Sequence, residues 1–523
     1  MSERRHLSAG DRAVLVELVD LEHTLGLLAS LRQRQRVDPI PGLGEPLPAA
    51  RTIMIDFCPE VITRAELITE LAALSDEPRP AGDGPPIEID VVYDGEDLDE
   101  VAGLLGLTRD DLIARHTGGE WVAAFAGFAP GFAYLAGGDP IFDVPRRSSP
   151  RTRIPAGSVG LAGRFSGVYP RESPGGWQLI GRTAATMWEA DRDPPALLAP
   201  GTRVRFRAVA QLATTAPAPD PAAEPDHDRG LEVIIPGLQS TLQDAGRPGN
   251  LAMGVAVSGA LDIRAMRLAN GLVGNVPDEA ILEIPYGALT LRARGRCVVA
   301  VTGARVGVII TRSGGEQVVV DDQRPLALDD GDELALGVPA GGVRAMLAAR
   351  GGFAVDAVLG SRSTDTLGGI GPPPLRAGQV LGLRDIVPPA RAVGDPVPWP
   401  DEPSGSLEVP IMLGPRDDWF DADSVQRLVT EPWLVTERSD RVGLRLGGGR
   451  PLVRTEQREL PSEGVATGSL QVPPSGEPIL FLADHPITGG YPVIAVVDST
   501  ALGALGQAPP GTELRFRLTD REG

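Results

Sequence analysis

The 523-residue sequence contains no lysine; all 49 of its basic residues are arginine. That absence excludes a P-loop, whose lysine reaches the terminal phosphates, and any Schiff-base chemistry, pyridoxal phosphate included. It also excludes biotin or a lipoyl group carried covalently on this chain, because those carriers hang on a lysine amine. Chemistry on ATP or on a carboxyl group must therefore use arginine, backbone amides and metal, or a partner chain. Cysteine is nearly as scarce: Cys58 and Cys297 sit in apolar, strand-like runs and give no disulfide framework. Five histidines with no His-x-x-x-His or Cys-x-x-Cys pair offer no pattern for a zinc site, so no metal ligand is assigned. No Gly-x-Ser-x-Gly elbow occurs, and Gly157-x-x-Gly160-x-x-Gly163 has the wrong spacing for a dinucleotide fingerprint. The N-terminus lacks an apolar signal core and no run of 18 apolar residues exists, which points to a cytoplasmic protein. A net charge of −21 argues against partners of like charge, so neither nucleic acid nor an anionic membrane is expected.

What is abundant is glycine, proline and arginine, on a chain 42% hydrophobic and long enough for three to four domains. Two Pro-rich breaks, 212–230 and 387–406, read as linkers. Before the first, RAVLVEL (Arg12–Leu18) and TIMIDF (Thr52–Phe57) are strand-like. A short helix, HTLGLLASLRQR, lies between them. Thr63-x-x-Glu66 is a capping box that opens another helix. The expectation is a small α+β subdomain over 1–86. From Ile87 the text turns to short strands and turns, which predicts a β-barrel over 87–211. The blocks 231–386 and 407–523 are also strand-rich, with one clear helix at Asp262–Gly274. The fold class is mainly β with an N-terminal α+β subdomain, and no internal repeat is legible.

Chemistry is concentrated in glycine-punctuated runs. PRRSSPRTRIPAGSVGLAGRFSGVYPRESPGGWQLIGRT (Pro145–Thr183) and GFAPGFAYL (Gly127–Leu135) can aim backbone N–H groups at one point, with guanidinium groups for carboxylate or phosphate. The alternative is β-turns with solvated arginines. Ser258-Gly259-Ala260 precedes a helix and suits an anion, or simply caps that helix. GSRSTDTLGGIG (Gly360–Gly371) adds Arg362 and three hydroxyls, suited to an anion or to a turn. In the last block, Asp440, Arg441, Glu463, Gln471, Asp484 and His485 are polar groups expected to converge. Amide chemistry needs such a set, a base near neutrality with cationic donors at the carbonyl oxygen.

Taken together, these motifs resemble a known pair of proteins joined in one chain. Residues 10–208 look like the Kip-inhibitor family (the B-type protein of 5-oxoprolinase, allophanate hydrolase subunit 1). Residues 231–520, with STLQDAGRPG, SGALD, GSRST, SDRVGLRLGG, SEGVATGSLQVPPSGEPI and TGGYP, look like the Kip-A family (the C-type protein of 5-oxoprolinase, allophanate hydrolase subunit 2). One departure is His485-Pro486-Ile487-Thr488, where the family pattern has Gln-Thr-Thr before Gly-Gly-Tyr. The resemblance implies several cyclophilin-like β-barrels and ATP-dependent opening of 5-oxoproline to glutamate with a separate A-type 5-oxoprolinase protein. The ATP, with Mg, is bound here or by that partner. It also implies two alternatives, a carboxyltransferase component of a biotin-dependent urea carboxylase and a non-enzymatic regulator of a histidine kinase. On this reading Asp440, Glu463, Asp484 and His485 are the catalytic candidates. Arg146, Arg151, Arg153, Ser258, Arg362, Arg441 and Gln471 are those for substrate or anion. A homo-oligomer is compatible with all three.

Overall fold

The computed structural model describes residues 4–78, 84–147, 149–213, 227–385 and 405–519; most of both Pro-rich linkers lies outside them. The first module is an antiparallel sheet of Arg5–Ser8, Ala13–Glu17, Thr52–Phe57 and Leu43–Pro48, in that order. Its strands are apolar on both faces because both are covered. Val14, Val16, Ile53, Ile55 and Phe57 pack on the helices Leu21–Val37 and Arg64–Ala72. The alternate positions Ala13, Leu15 and Met54 face Leu251, Ala256 and Ile487 of the distant C-terminal modules. The helix at Arg64 starts on the Thr63–Glu66 capping box that its spacing predicts. The helix at Leu21 runs 17 residues, longer than its sequence signal, capped by Asp20.

The second module is a seven-stranded sheet running from Gln178–Arg182 through Ser158–Ala162, Phe165–Val168, Ala133–Ala136, Trp121–Ala126 and Arg203–Ala208 to Ile87–Val91. Its two edges meet at Val92 and Arg182, which exchange both backbone hydrogen bonds at 2.9 Å, so the sheet closes into a barrel. The fourth module, Ser406–Leu518, is likewise a closed seven-stranded barrel.

These two barrels follow one plan. In each, the first strand pairs parallel with the last. Each places a buried tryptophan just after a helix, Trp121 donating to His116 O and Trp433 to Leu428 O. Each opens its last strand with Pro-Gly-Thr, at 200–202 and 510–512. An internal repeat therefore exists where none was legible, because only positions fixed by closure are shared. The third module packs sheets of six and five strands around one core, with the helix Ile263–Val273 outside. The molecule is mainly β, built of cyclophilin-like barrel modules on an α+β subdomain.

Candidate functional site

The glycine-rich motifs meet where three modules touch. Phe128 takes φ 66°, a left-handed conformation costly for a bulky residue, and its N–H donates to Thr488 Oγ1 at 3.1 Å. A Cβ on Gly127 would lie 2.2 Å from that oxygen, so only glycine lets the second module approach the fourth. Gly131 N donates to Met253 O at 2.9 Å, and Arg171 donates to Leu367 O at 2.7 Å, joining the second module to the third.

Between the third and fourth modules lies a buried polar seam. Asp484, fully buried, accepts from Ser258 Oγ (2.6 Å), Thr366 N (2.9 Å), Thr366 Oγ1 (2.7 Å) and Arg441 (3.0 and 3.1 Å). Arg441 also donates to Glu283 and to Gly259 O. Burial alone would raise the Asp484 pKa, but Arg441 and the two hydroxyls hold it below the usual carboxylate value. Five donors saturate the roughly four lone pairs of one carboxylate, so Asp484 is a clasp and not a base. Beside it, burial and the Asp484 charge push Asp365 up to about 6.

The same pattern recurs at most of the other expected arginines. The GSRST loop does cradle a carboxylate, but the chain's own. Ser361 Oγ, Arg362 N and Ser363 Oγ converge on Asp244 at 2.6, 2.6 and 2.5 Å, while the Arg362 side chain donates to Val355 O. Arg151 grips buried Asp97 through two nitrogens at 2.9 and 2.8 Å. Arg153 is exposed and paired with Glu172 at 2.6 Å. Asp440 is an exposed turn residue that accepts from Val442 N and Gly443 N. The helix start near Ser258 is occupied by Asp262, which accepts from Ala265 N.

Glu463 pairs with Arg416, which also reaches Glu17, and so ties the fourth module to the first. Burial raises the Glu463 pKa in spite of that partner. Gln471 donates to Tyr491 O. His485 is buried and stacked on Phe481, with Nε2 3.1 Å from Thr467 Oγ1 and Nδ1 3.0 Å from Pro486 O. A carbonyl only accepts, so Nδ1 carries the proton, and burial pulls the imidazole's pKa down. Asp440, Glu463, Gln471 and His485 therefore do not join Arg441 and Asp484 in one cleft.

A cleft of about 1490 Å³ opens instead between the first, second and fourth modules. Leu21, Leu25, Leu28 and Arg32, spaced i, i+4, i+7 and i+11, present one face of the first helix to it. Phe142, Ala162 and Phe165 form the facing barrel wall, and Glu459, Pro461 and Ser462 come from the fourth module. Arg146 crosses between walls, 2.9 Å from Glu459 Oε1 and 3.3 Å from Ser462 Oγ. Arg32 and Arg164 line the cleft with no hydrogen-bond or ion-pair partner among the described residues, and burial works against the Arg32 charge. Sequence reasoning missed Arg32, whose signal was a cation on an otherwise apolar helix stripe. It also missed Arg247, buried with Nε and Nη1 unpartnered, in the QDAGRPG run.

The family model for the carboxyltransferase domain, subdomains C and D, matches residues 5–198, and that for subdomains A and B matches 253–518. The C-type 5-oxoprolinase protein of Escherichia coli K12 is 35% identical over 55% of this chain and 90% of its own length. The B-type protein of Escherichia coli O157:H7 is 37% identical over 39% of this chain and 96% of its own. The chain belongs to the carboxyltransferase-domain family that includes the B-type and C-type proteins of 5-oxoprolinase, with both fused. A crystal structure of TTHA0988 shares the whole arrangement, at 35% identity and TM-score 0.83, covering 97% of this chain and 99% of that one. The urea amidolyase of Lachancea kluyveri is 31% identical over 55% of this chain, which spans only 17% of that protein. In these terms the large cleft has B-type walls and a C-type rim, and the seam at Asp484 lies wholly within the C-type half.

Proposed function

We propose that this chain is the fused B/C component of a cytoplasmic, ATP-dependent 5-oxoprolinase that opens 5-oxoproline to glutamate with a separate A-type protein. The observation that carries the reading is that one cleft is lined by both halves, so that neither half alone completes it. A lactam is an unreactive amide, and opening it requires an anionic substrate held still while charge develops on the carbonyl oxygen. Arg32, half-buried on the apolar helix face, and Arg164, exposed at the cleft's edge, are guanidiniums without a partner among the described residues and can take a carboxylate or phosphate. Arg146, tethered to Glu459 and Ser462, fixes the distance between the two halves at the same place. ATP, when bound by this chain or by the A-type protein, supplies the phosphoryl group that turns the lactam oxygen into a leaving group. The arginine set suits phosphate, and no lysine is needed for it.

A second reading, carboxyl transfer onto an amide nitrogen, is favoured by the carboxyltransferase family models and the urea amidolyase likeness. Biotin would then ride on another chain. The test is glutamate release from 5-oxoproline and ATP, with and without the A-type protein. Release only in the combination supports lactam opening. Turnover that needs bicarbonate and a biotinylated carrier replaces it with carboxyl transfer.

A further inference from the structure

A second cavity, of about 280 Å³, lies between the first, third and fourth modules on the opposite side of the N-terminal sheet from its helices. Its walls are largely apolar, with Ala13, Leu47 and Met54 on one side and Leu251, Val465 and Ile487 on the other. Into this lining the strand TIMIDF sends Asp56, at the position where strict alternation after Met54 calls for another apolar residue. Asp56 is half-buried there, and a carboxylate set among apolar groups is normally paired. The other charged groups near the cavity are. Glu45 accepts from Leu251 N and Ala252 N at 2.9 Å, Asp11 accepts from Ser499 N and Oγ, and Arg12 pairs with Glu60 at 2.6 Å. Asp56 alone has no hydrogen-bond or ion-pair partner among the described residues. Across the cavity stands His485, whose Nε2 lies 3.1 Å from the Thr467 hydroxyl and whose Nδ1 proton faces Pro486 O. The polar lining is thus the unpaired Asp56 carboxylate, the Thr467–His485 pair, and Asp11, Arg12 and Ser499, which engage one another and, through Arg12, Glu60; the rest is hydrocarbon.

We infer that this cavity is a binding site for a small apolar amine in its ammonium form, with Asp56 as counter-ion and the Thr467–His485 pair as second acceptor. An ammonium offers three N–H donors and the charge that Asp56 lacks; a carboxylate such as 5-oxoproline would be repelled. The site is distinct from the large cleft and does not depend on the lactam reading. Burial, and then Glu45, push the Asp56 carboxyl up to about 6, so a fraction of it is protonated near neutrality. Burial pulls the His485 imidazole below the ordinary histidine value, which disfavours its charged form beside the site.

The test is calorimetric titration of the full chain with n-butylamine, and with butyrate as the control anion. Saturable n-butylamine binding at pH 8 is expected, weakening about tenfold by pH 5 as Asp56 protonates, with no butyrate binding. Asp56→Asn should weaken binding at least tenfold. Val257→Phe, which adds bulk at the partly exposed edge of the cavity and leaves the carboxylate in place, should weaken it. Undetectable amine binding overturns the inference, as does equal binding to Asp56→Asn or to Val257→Phe, or binding of butyrate.

Discussion

Arg441 and Asp484 form a buried bidentate pair, 3.0 and 3.1 Å apart, at the point where the two C-type modules meet. The sequence marks both as candidates for an amide site, and both are fully engaged by the protein itself. Arg441 bridges Asp484 to Glu283 and Gly259 O across the seam, so its charge joins two modules and is not offered to a ligand.

Removing one partner should leave the other charged and buried. Asp484→Ala is expected to cost about 3–5 kcal/mol. The loss should appear as a lower unfolding midpoint of the C-type half in thermal or denaturant scans. An unshifted midpoint would mean that the seam does not hold the modules together.

The junction at Phe128 gives a steric prediction. Gly127→Ala places a methyl 2.2 Å from Thr488 Oγ1 and 2.6 Å from its Cγ2, and should cost about 1–3 kcal/mol. Combining it with Thr488→Ala removes the two shortest contacts and leaves the two Cβ atoms 3.0 Å apart. Gly127→Ala should then cost less in the Thr488→Ala background than in the wild type, a coupling that a thermal-shift cycle reads directly.

Much of the chain's organisation was legible because local rules act on it without competition. TIMIDF forms a strand over the whole of its apolar run, and the helix after Asp262 ends at Gly274 in the left-handed conformation. The partners of charged side chains were not legible. Arg151 and Arg153 are two residues apart, yet one grips Asp97, more than fifty residues upstream, while the other lies exposed against Glu172. Asp484 and His485 are adjacent and face different modules, one the seam and the other the amine cavity. Pairing over such separations is set by barrel closure and module docking, which leave no mark on the local sequence. Arg32 did leave a local mark, a cation on an apolar helix stripe, but its lack of a partner arises only where the modules meet.

His116 carries a pH dependence of known sign. It is buried, 2.7 Å from the Tyr93 hydroxyl through Nδ1 and 2.9 Å from Ser166 Oγ through Nε2, and stacked on Phe206. Burial pulls its pKa down to about 3. The unfolded chain therefore binds a proton between about pH 6.5 and 3 that the folded barrel does not, so this group's contribution to stability is full above pH 6.5 and lost as pH falls. Lowering the pH from 6.5 to 4.5 should cost up to about 2–3 kcal/mol from this residue. Comparing pH-dependent unfolding midpoints of the wild type and His116→Gln checks it: the variant should have the flatter profile over that range.

The central claim is that the cleft shared by the B-type and C-type halves holds the anionic reactant through arginines that the protein does not clasp to its own carboxylates. The most direct measurement is kcat/KM for 5-oxoproline, with ATP and the A-type protein present, for Arg32→Gln, Arg164→Gln and the exposed Arg153→Gln. Losing a hydrogen bond to a charged group costs about 1.5–3 kcal/mol, so the first two should fall roughly 10- to 100-fold with unfolding midpoints unchanged, while Arg153→Gln stays at wild-type rate. Arg32→Gln and Arg164→Gln variants within twofold of wild type would contradict the account.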